Sequence, residues 1–388
     1  MASSLQRELN RFFGKICGLD YSIHAVTKGA LSQARAKLKP EAFIELSKIA
    51  IREFYEGAAY RVWKKHRLLA VDGSTLNLPS HPSIKKEFGK MGVGCKADVE
   101  RSMATISLCY DVLNLITLDS RIAAYNVSES ALMKQHLEAV SFQKGDVLLG
   151  DRGYPSIALM YTLQQQGVHF CLRMKDNWWK EVEAFNKSGR QSTEVIFTLP
   201  NKDKHLQQQY QSGDACVRCR LVAIMLDSGE KEILCTSLLD EQEYSNEVMK
   251  ELYHYRWNVE ESYKLFKCRA QLEVFSGKTA HAVQQDFYAK VFMMNMCAIL
   301  SFPIEEKVRA EHKSAQRKRK YSNQINRTNV IGFCKDAWIT IWFKNKLEQV
   351  WEALEYVLLK STDIIRPGRK FKRKKSSKKP PAMTYKHL

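Results

Sequence analysis

Residues 145–155 read GDVLLGDRGYP. An unbroken apolar run between turn formers is the pattern of a short strand buried on both faces, and this one stops at Asp151. Upstream, residues 66–79, HRLLAVDGSTLNLP, follow the same logic. RLLAV is a β run that stops at Asp72, with Asp-Gly as its punctuation. Between the two, SMATISLCYDVLNLITLDSRIAAY (102–125) predicts two strands joined near Asp111 to Asn114. Ser128 to about Phe142 predicts a helix, with Ser128 as N-cap and Leu132, His136, Leu137 and Val140 on one face. Ser156 to Gln166 predicts a second helix, and VHFCLRMK a further strand. The order is β-β-β-α-β-α-β. An antiparallel trio followed by alternating elements implies an α/β fold, a mixed sheet flanked by helices.

Working outward, residues 1–65 predict a helical N-terminal region. Arg35, Lys37, Lys39, Lys64 and Lys65, followed by Arg67, make it a candidate for DNA binding. Residues 66–175 form the first part of the core, with 80–101 expected to be loop. Residues 176–242 carry alternating runs such as EVIFTLP, CRLVAIML and KEILCTSLL, and predict a β-rich insertion. Residues 243–302 hold the rest of the core. Within it Val291 to Pro303 is shorter than a membrane span and predicts a buried helix. Residues 303–364 predict a basic loop, Lys307 to Arg327, followed by helix from Asn329 to about Leu359. Residues 365–388 predict a basic, disordered tail able to bind a phosphate backbone.

The chain has 388 residues and a net charge of +19. Such a surplus selects a polyanionic partner, nucleic acid before an anionic membrane. MASSLQRELNRFF has no basic stretch leading into an apolar one, so no secretory signal is expected. Ten cysteines without framework spacing suit a reducing compartment. Cys216 and Cys219 have C-x-x-C spacing, but no second pair follows, which disfavours zinc.

The stretch Leu252 to Lys267, LYHYRWNVEESYKLFK, predicts one helix. At about 100° per residue, Arg256, Glu260 and Lys267 fall within roughly 40° of one another. Tyr253 stands at the edge of that stripe. Leu252, Tyr255, Val259, Tyr263 and Phe266 make the adjoining apolar face. Glu261 points elsewhere, so the angle selects Glu260. Asp72 and Asp151 at strand ends, with Glu260 on a rigid helix, supply hard oxygen donors suited to Mg²⁺ or Mn²⁺. Two such ions clamp the attacking and leaving oxygens of an in-line phosphoryl displacement. Taken singly, Asp-Gly and Asp-Arg-Gly are ordinary turn sequences, and charged residues spaced four apart are common on surface helices. Their joint placement is what favours a site.

Tyr253, Arg256, Glu260 and Lys267 fit Y-x2-R-x3-E-x6-K, which resembles the Y-R-E-K signature of a group of bacterial insertion-sequence transposases of the DDE type. VDGS at Asp72 and GDRGYP at Asp151 are similar to that group's aspartate motifs, over roughly residues 25–300. The resemblance implies a ribonuclease-H-like core with Asp72, Asp151 and Glu260 as catalytic and metal-binding triad, holding two Mg²⁺ or Mn²⁺ ions. It implies double-stranded DNA as partner, both transposon ends and target, with Tyr253, Arg256 and Lys267 on phosphates. It also implies a homodimer or larger synaptic complex in the bacterial cytoplasm, nucleoid-associated. Trp257, on the groove side of the helix, is a candidate for base stacking, as are Trp178 and Trp179. Ser74, Arg152 and Tyr154 are candidates for supporting or DNA-contacting roles. The implied activity is 3′-end cleavage followed by strand transfer. A nuclease without strand transfer and an inactive DNA-binding relic are the alternatives.

Overall fold

Side-chain caps set the first helices: Ser4 accepts from Arg7 N–H and Thr27 from Ala30 N–H. The computed structural model describes residues 4–93, 99–226, 229–314 and 321–366. In chain order the elements are α1 (Leu5–Ile16), α2 (Lys28–Lys37), α3 (Glu41–Gly57), β1 (Leu68–Asn77), α4 (Pro82–Phe88), β2 (Lys90–Val93), β3 (Val99–Asp111) and β4 (Ile116–Ala124). Then follow α5 (Glu129–Ala139), β5 (Val147–Gly150), α6 (Ile157–Gln165), β6 (His169–Arg173), α7 (Lys180–Ser188), β7 (Ser192–Thr198), α8 (His205–Gln209), β8 (Cys216–Met225) and β9 (Lys231–Thr236). The remainder is α9 (Asn246–His254), α10 (Trp257–Lys264), a π-helical turn at Leu265–Arg269, α11 (Ala280–Ser314), β10 (Asn323–Ile325), α12 (Arg327–Lys344), α13 (Leu347–Lys360) and β11 (Thr362–Ile364).

Two units share these elements. One comprises Ala58–Ser74 and Thr105–Tyr263. Its sheet runs β3-β1-β5-β6-β9-β8-β7, with β4 on the free side of β3. Counting β1, β3, β4, β5 and β6 as core strands, the spatial order is third, second, first, fourth, fifth, the ribonuclease-H-like arrangement. β1, β5 and β6 are parallel. β9 then pairs antiparallel to β6, so the β-rich region continues the core sheet. Leu69, Val71, Leu148, Phe170, Leu172 and Ile233 bury their side chains in one cluster with Leu159, Met160 and Leu163 of α6. Each such side chain contributes on the order of 1.5–3 kcal/mol. Arg67 and Asp146 form a buried bidentate pair, at 3.0 and 2.6 Å, just before β1 and β5. On β8 Cys216 is partly exposed and Cys219 buried, because residues three apart on a strand face opposite ways.

The other unit comprises Met1–Gly57, Thr75–Ala104 and Lys264–Leu388. Here α11 packs along α3, with Phe54 edge-on to Phe302 at 5.1 Å and Asn295 donating to Ser47 at 3.1 Å. Cys297, Ile304 and Val308 meet Val330, Cys334, Leu354 and Leu358 from α12 and α13. Ala280–Glu311 is long and apolar enough to cross a membrane by length and composition. Its buried face is occupied by these neighbours.

Several expectations are corrected. Residues 80–101 are not all loop. His81 caps α4, Pro82 opens it, and β2 pairs antiparallel with β3. The helical N-terminal region stops at Gly57, and Trp63 and His66 form an isolated bridge. The basic loop from Lys307 is helical as far as Ser314, because Val308 is buried and Arg309 pairs with Glu305 one turn back. Arg317, Lys318, Arg319 and Lys320 lie outside the described residues, as does the tail beyond Arg366. The helix beyond Asn329 is split at Asn345, whose φ of 48° is left-handed. The single helix over 252–267 is two helices. Tyr255 and Arg256 turn between them through i→i+3 bonds, Tyr255 N to Leu252 O and Arg256 N to Tyr253 O, at 3.2 and 3.1 Å.

Candidate active site on β1 and at the end of β5

The parallel register pairs Leu68 with Val147 and Val71 with Gly150. Asp72 comes next within β1, which continues to Asn77, and Asp151 comes directly after the last residue of β5. The strand expected to stop at Asp72 therefore runs on for five more residues, and the two aspartates stand side by side level with the C-terminal end of β5, where open α/β sheets place their sites.

The backbone at Asp72 is held from two sides. Tyr263, buried on α10, donates to Asp72 O at 2.7 Å. Ser107 Oγ stands 3.3 Å from the same oxygen and 2.9 Å from His136 Nε2. His136 Nδ1 meets Asp119 Oδ2 at 2.6 Å. In a neutral His136 that donates to Asp119, Nε2 is an acceptor, and the one Ser107 proton is shared between Nε2 and Asp72 O. Ser107 and His136 are fully buried and the Asp119 side chain is 10% exposed, and the line supports the strand backbone at Asp72. Asn258 Nδ2 also donates to Val112 O at 3.1 Å, docking α10 beside β3.

Docking brings Glu260 to Asp72. Arg256 Nη2 donates to Glu260 Oε1 at 2.8 Å. The i,i+4 relation survives the turn at Tyr255 and Arg256 because it lies within the second helix and its first turn. Glu261 is exposed. Arg256 itself is buried and lies 5.6 Å from the centre of the Tyr253 ring and 5.2 Å from that of Trp257. Its Nε is buried without an acceptor among the described residues. Tyr253 is buried, and its hydroxyl stands 3.5 Å from Asp151 Oδ1. Trp257 is 46% exposed. Trp178 is exposed as well, with Lys175 over its ring at 4.6 Å, whereas Trp179 packs edge-on against Phe197 at 4.8 Å.

Charge concentrates at Asp72. Burial raises its pKa from 3.8 to about 7; Arg256 opposes the rise, and Glu260 and Glu129 add to it. Burial and the nearby Glu129 and Asp72 likewise push the Tyr154 phenol well up. Ser107 lies close enough to Tyr154 to oppose that, yet among the described residues no hydrogen bond of normal geometry reaches the buried Tyr154 hydroxyl.

Two functional candidates were absent from the sequence reading. Arg173, at the end of β6, lies 3.7 Å from Asp151 Oδ1 and 3.0 Å from Glu232 Oε1. The register that pairs Gly150 with Leu172 makes Arg173 the neighbour of Asp151, a signal available only once strand pairing is known. Glu129 is the first residue of α5, where an acidic side chain reads as ordinary dipole compensation. The residue is solvent-accessible, yet partial burial of its carboxylate, followed by the Asp151 charge, raises its pKa. Arg152 is exposed, and Ser74 is partly exposed. Lys267 belongs to the other unit, in the π-helical turn, and its Nζ donates to Thr75 O at 2.7 Å. Burial lowers its pKa, against the pull of Glu273.

Among the described residues no three His, Cys, Asp or Glu side chains close around one point as a finished metal cage. Glu260 is turned to Arg256 and Asp151 lies beside Arg173. In kind, however, the donor set fits a hard divalent cation: carboxylate oxygens from Asp72, Asp151 and Glu260, with burial first and the Glu260 charge after it favouring a proton on Asp72.

Residues 63–296 match the family described as the transposase DDE domain. One curated relative is transposase InsG for insertion sequence element IS4 of Escherichia coli (strain K12). It is 23% identical over 276 residues, which is 70% of this chain and 60% of that protein. The chain thus spans less than two thirds of that relative's length. One solved structure, the cryo-EM structure of a piggyBac transposase synaptic complex with hairpin DNA, gives a TM-score of 0.43 at 11% identity. It covers 75% of this chain and 57% of that one.

Proposed function

We propose, on the premise that this chain belongs to the transposase DDE-domain family, that it is a DNA transposase whose catalytic residues are Asp72, Asp151 and Glu260. The observation that carries this reading is the β1–β5 register, which sets Asp72 beside Asp151 while α10 brings Glu260 within electrostatic reach of Asp72.

Asp72, Asp151 and Glu260 would hold two Mg²⁺ or Mn²⁺ ions. When bound, such ions supply Lewis acidity to both oxygens of an in-line phosphodiester displacement. The protein's own groups do the rest. Arg256, with a buried and unpartnered Nε–H, offers a fork to a phosphate, and that contact would release Glu260 from its present partner. Tyr253 holds Asp151 from the side of α9. Trp257 presents an exposed ring to a base. Lys267 supplies a point charge to the transposon-end backbone. The reading includes binding of inverted-repeat ends, hydrolysis that frees a 3′-hydroxyl, and attack of that hydroxyl on target DNA in a second, chemically equivalent step. Two ends must be held together, so the working form is at least a dimer in the bacterial cytoplasm. The helical N-terminal region contributes to DNA binding. Tyr253, Arg256, Glu260 and Lys267 together support placement in the Y-R-E-K group.

The test is an assay with a labelled donor end and a plasmid target in Mg²⁺. Joined products that vanish in Asp72→Asn, Asp151→Asn and Glu260→Gln support the reading. Cleavage without joining would make the chain a nuclease. End binding without any cleavage in the unaltered chain would make it a DNA-binding protein.

A further inference from the structure

Glu129 lies where the Asp72–Gly73 segment of β1 and the turn after Asp151 converge. A Cβ built on Gly73, the residue after Asp72, would fall 2.7 Å from Glu129 Oε1. A Cβ built on Gly153, two residues after Asp151, would fall 2.7 Å from Glu129 Oε2. One carboxylate thus occupies the space that two side chains, one from each segment, would otherwise fill. Neither glycine has a positive φ. Backbone conformation therefore does not require glycine at either place, and a side chain at either would have to displace the Glu129 carboxylate. The buried Tyr154 hydroxyl, which lacks a hydrogen bond of normal geometry among the described residues, lies within electrostatic reach of the same carboxylate.

We propose that Glu129 is a fourth carboxylate of the divalent-cation centre, and that Gly73 and Gly153 are the cradle that lets it stand between Asp72 and Asp151. The inference rests on the reading of Asp72, Asp151 and Glu260 as ion-holding residues. A residue that merely compensated the α5 dipole needs no such cradle, since the first turn of a helix projects freely into solvent. Glu129 is accessible from solvent, so an ion reaches it without unfolding.

The test uses the full chain without DNA and reads Mn²⁺ uptake by calorimetry and the Mn²⁺-induced rise in melting temperature. Glu129→Gln keeps the size of the side chain and removes its charge. It is expected to weaken Mn²⁺ binding roughly 10–100-fold, as loss of a supporting ligand does, with the melting temperature in EDTA close to that of the unaltered chain. Gly153→Ala is the second variant. Its methyl meets only the far end of a flexible side chain, so the protein folds while the carboxylate is displaced, and Mn²⁺ binding weakens in the same direction. Asp72→Asn is the reference for the site itself. If Asp72→Asn abolishes binding while Glu129→Gln and Gly153→Ala bind like the unaltered chain, the inference about Glu129 is overturned and the site stands. If Asp72→Asn also binds Mn²⁺ normally, the reading of the site has failed, and this inference with it.

Discussion

Arg256 Nη2 stands 2.8 Å from Glu260 Oε1, with the arginine side chain 4% exposed and the glutamate 36% exposed. The pair is asymmetric: a buried cation holds a carboxylate that solvent can reach. Removing the arginine leaves Glu260 unpaired beside Asp72 and removes the cation that opposes the rise in the Asp72 pKa. Arg256→Ala is therefore expected to destabilise the chain by about 1–3 kcal/mol in urea unfolding, less than a fully buried pair because Glu260 is partly hydrated. Arg256→Lys should keep the charge yet lose the planar fork, restoring more stability than DNA cleavage.

Asp72 makes the metal-free protein sensitive to pH. Its folded pKa, about 7, is above the unfolded value near 3.8. Between those values the folded chain binds more protons than the unfolded chain, so its stability falls as pH rises through that window and levels off above it. The groups facing Asp72 are Arg256, Glu260, the Gly73 N–H and Glu129, of which Arg256 and the Gly73 N–H favour the carboxylate. In EDTA, melting temperature plotted from pH 4 to 8 should decline more for the unaltered chain than for Asp72→Asn, and the variant should be the more stable of the two at pH 8. Equal slopes would contradict the burial argument.

At the opposite ends of the same two strands Arg67 and Asp146 form the buried pair that starts β1 and β5 in register. Arg67→Met leaves Asp146 without its charge partner and is expected to cost about 3–5 kcal/mol by urea unfolding. Mn²⁺ uptake per folded molecule should be unchanged, because the pair shapes the sheet and not the carboxylates.

Trp257→Ala removes an exposed ring that touches Arg256. Stability should fall by less than about 1 kcal/mol, the worth of an exposed cation–π contact. DNA binding should weaken by roughly 1–3 kcal/mol if the ring stacks on a base. A competition assay with single- and double-stranded DNA ends measures this. Unaltered binding would return Trp257 to a packing role.

The sequence carried the order of the core strands because each strand is bounded by its own turn residues. The apolar run that stops before Asp151 does mark the end of β5, whereas the run that stops at Asp72 marks only a change from apolar to polar residues, because β1 continues through Gly73 to Asn77. The sequence also singled out Glu260 over Glu261, although the wheel assumed one continuous helix. The turn at Tyr255 and Arg256 and the π-helical turn at Leu265–Arg269 break the helix where no local pattern announces a break. Glu129 and Arg173 were invisible for another reason. Their positions depend on which strands are neighbours and on a carboxylate threading between two glycines, and both are tertiary facts. The short β2 strand was missed because its four residues pair across a segment that reads as loop.

The most direct test of the central claim is Mg²⁺-dependent cleavage of DNA carrying the ends of the element that encodes this chain, run in parallel with a binding assay on the same DNA. Asp72→Asn, Asp151→Asn and Glu260→Gln are each expected to abolish cleavage in Mg²⁺ while leaving end binding within a few-fold of the unaltered chain. Cleavage that persisted in any one of the three, with the protein folded and bound, would contradict the assignment of that residue to the catalytic centre.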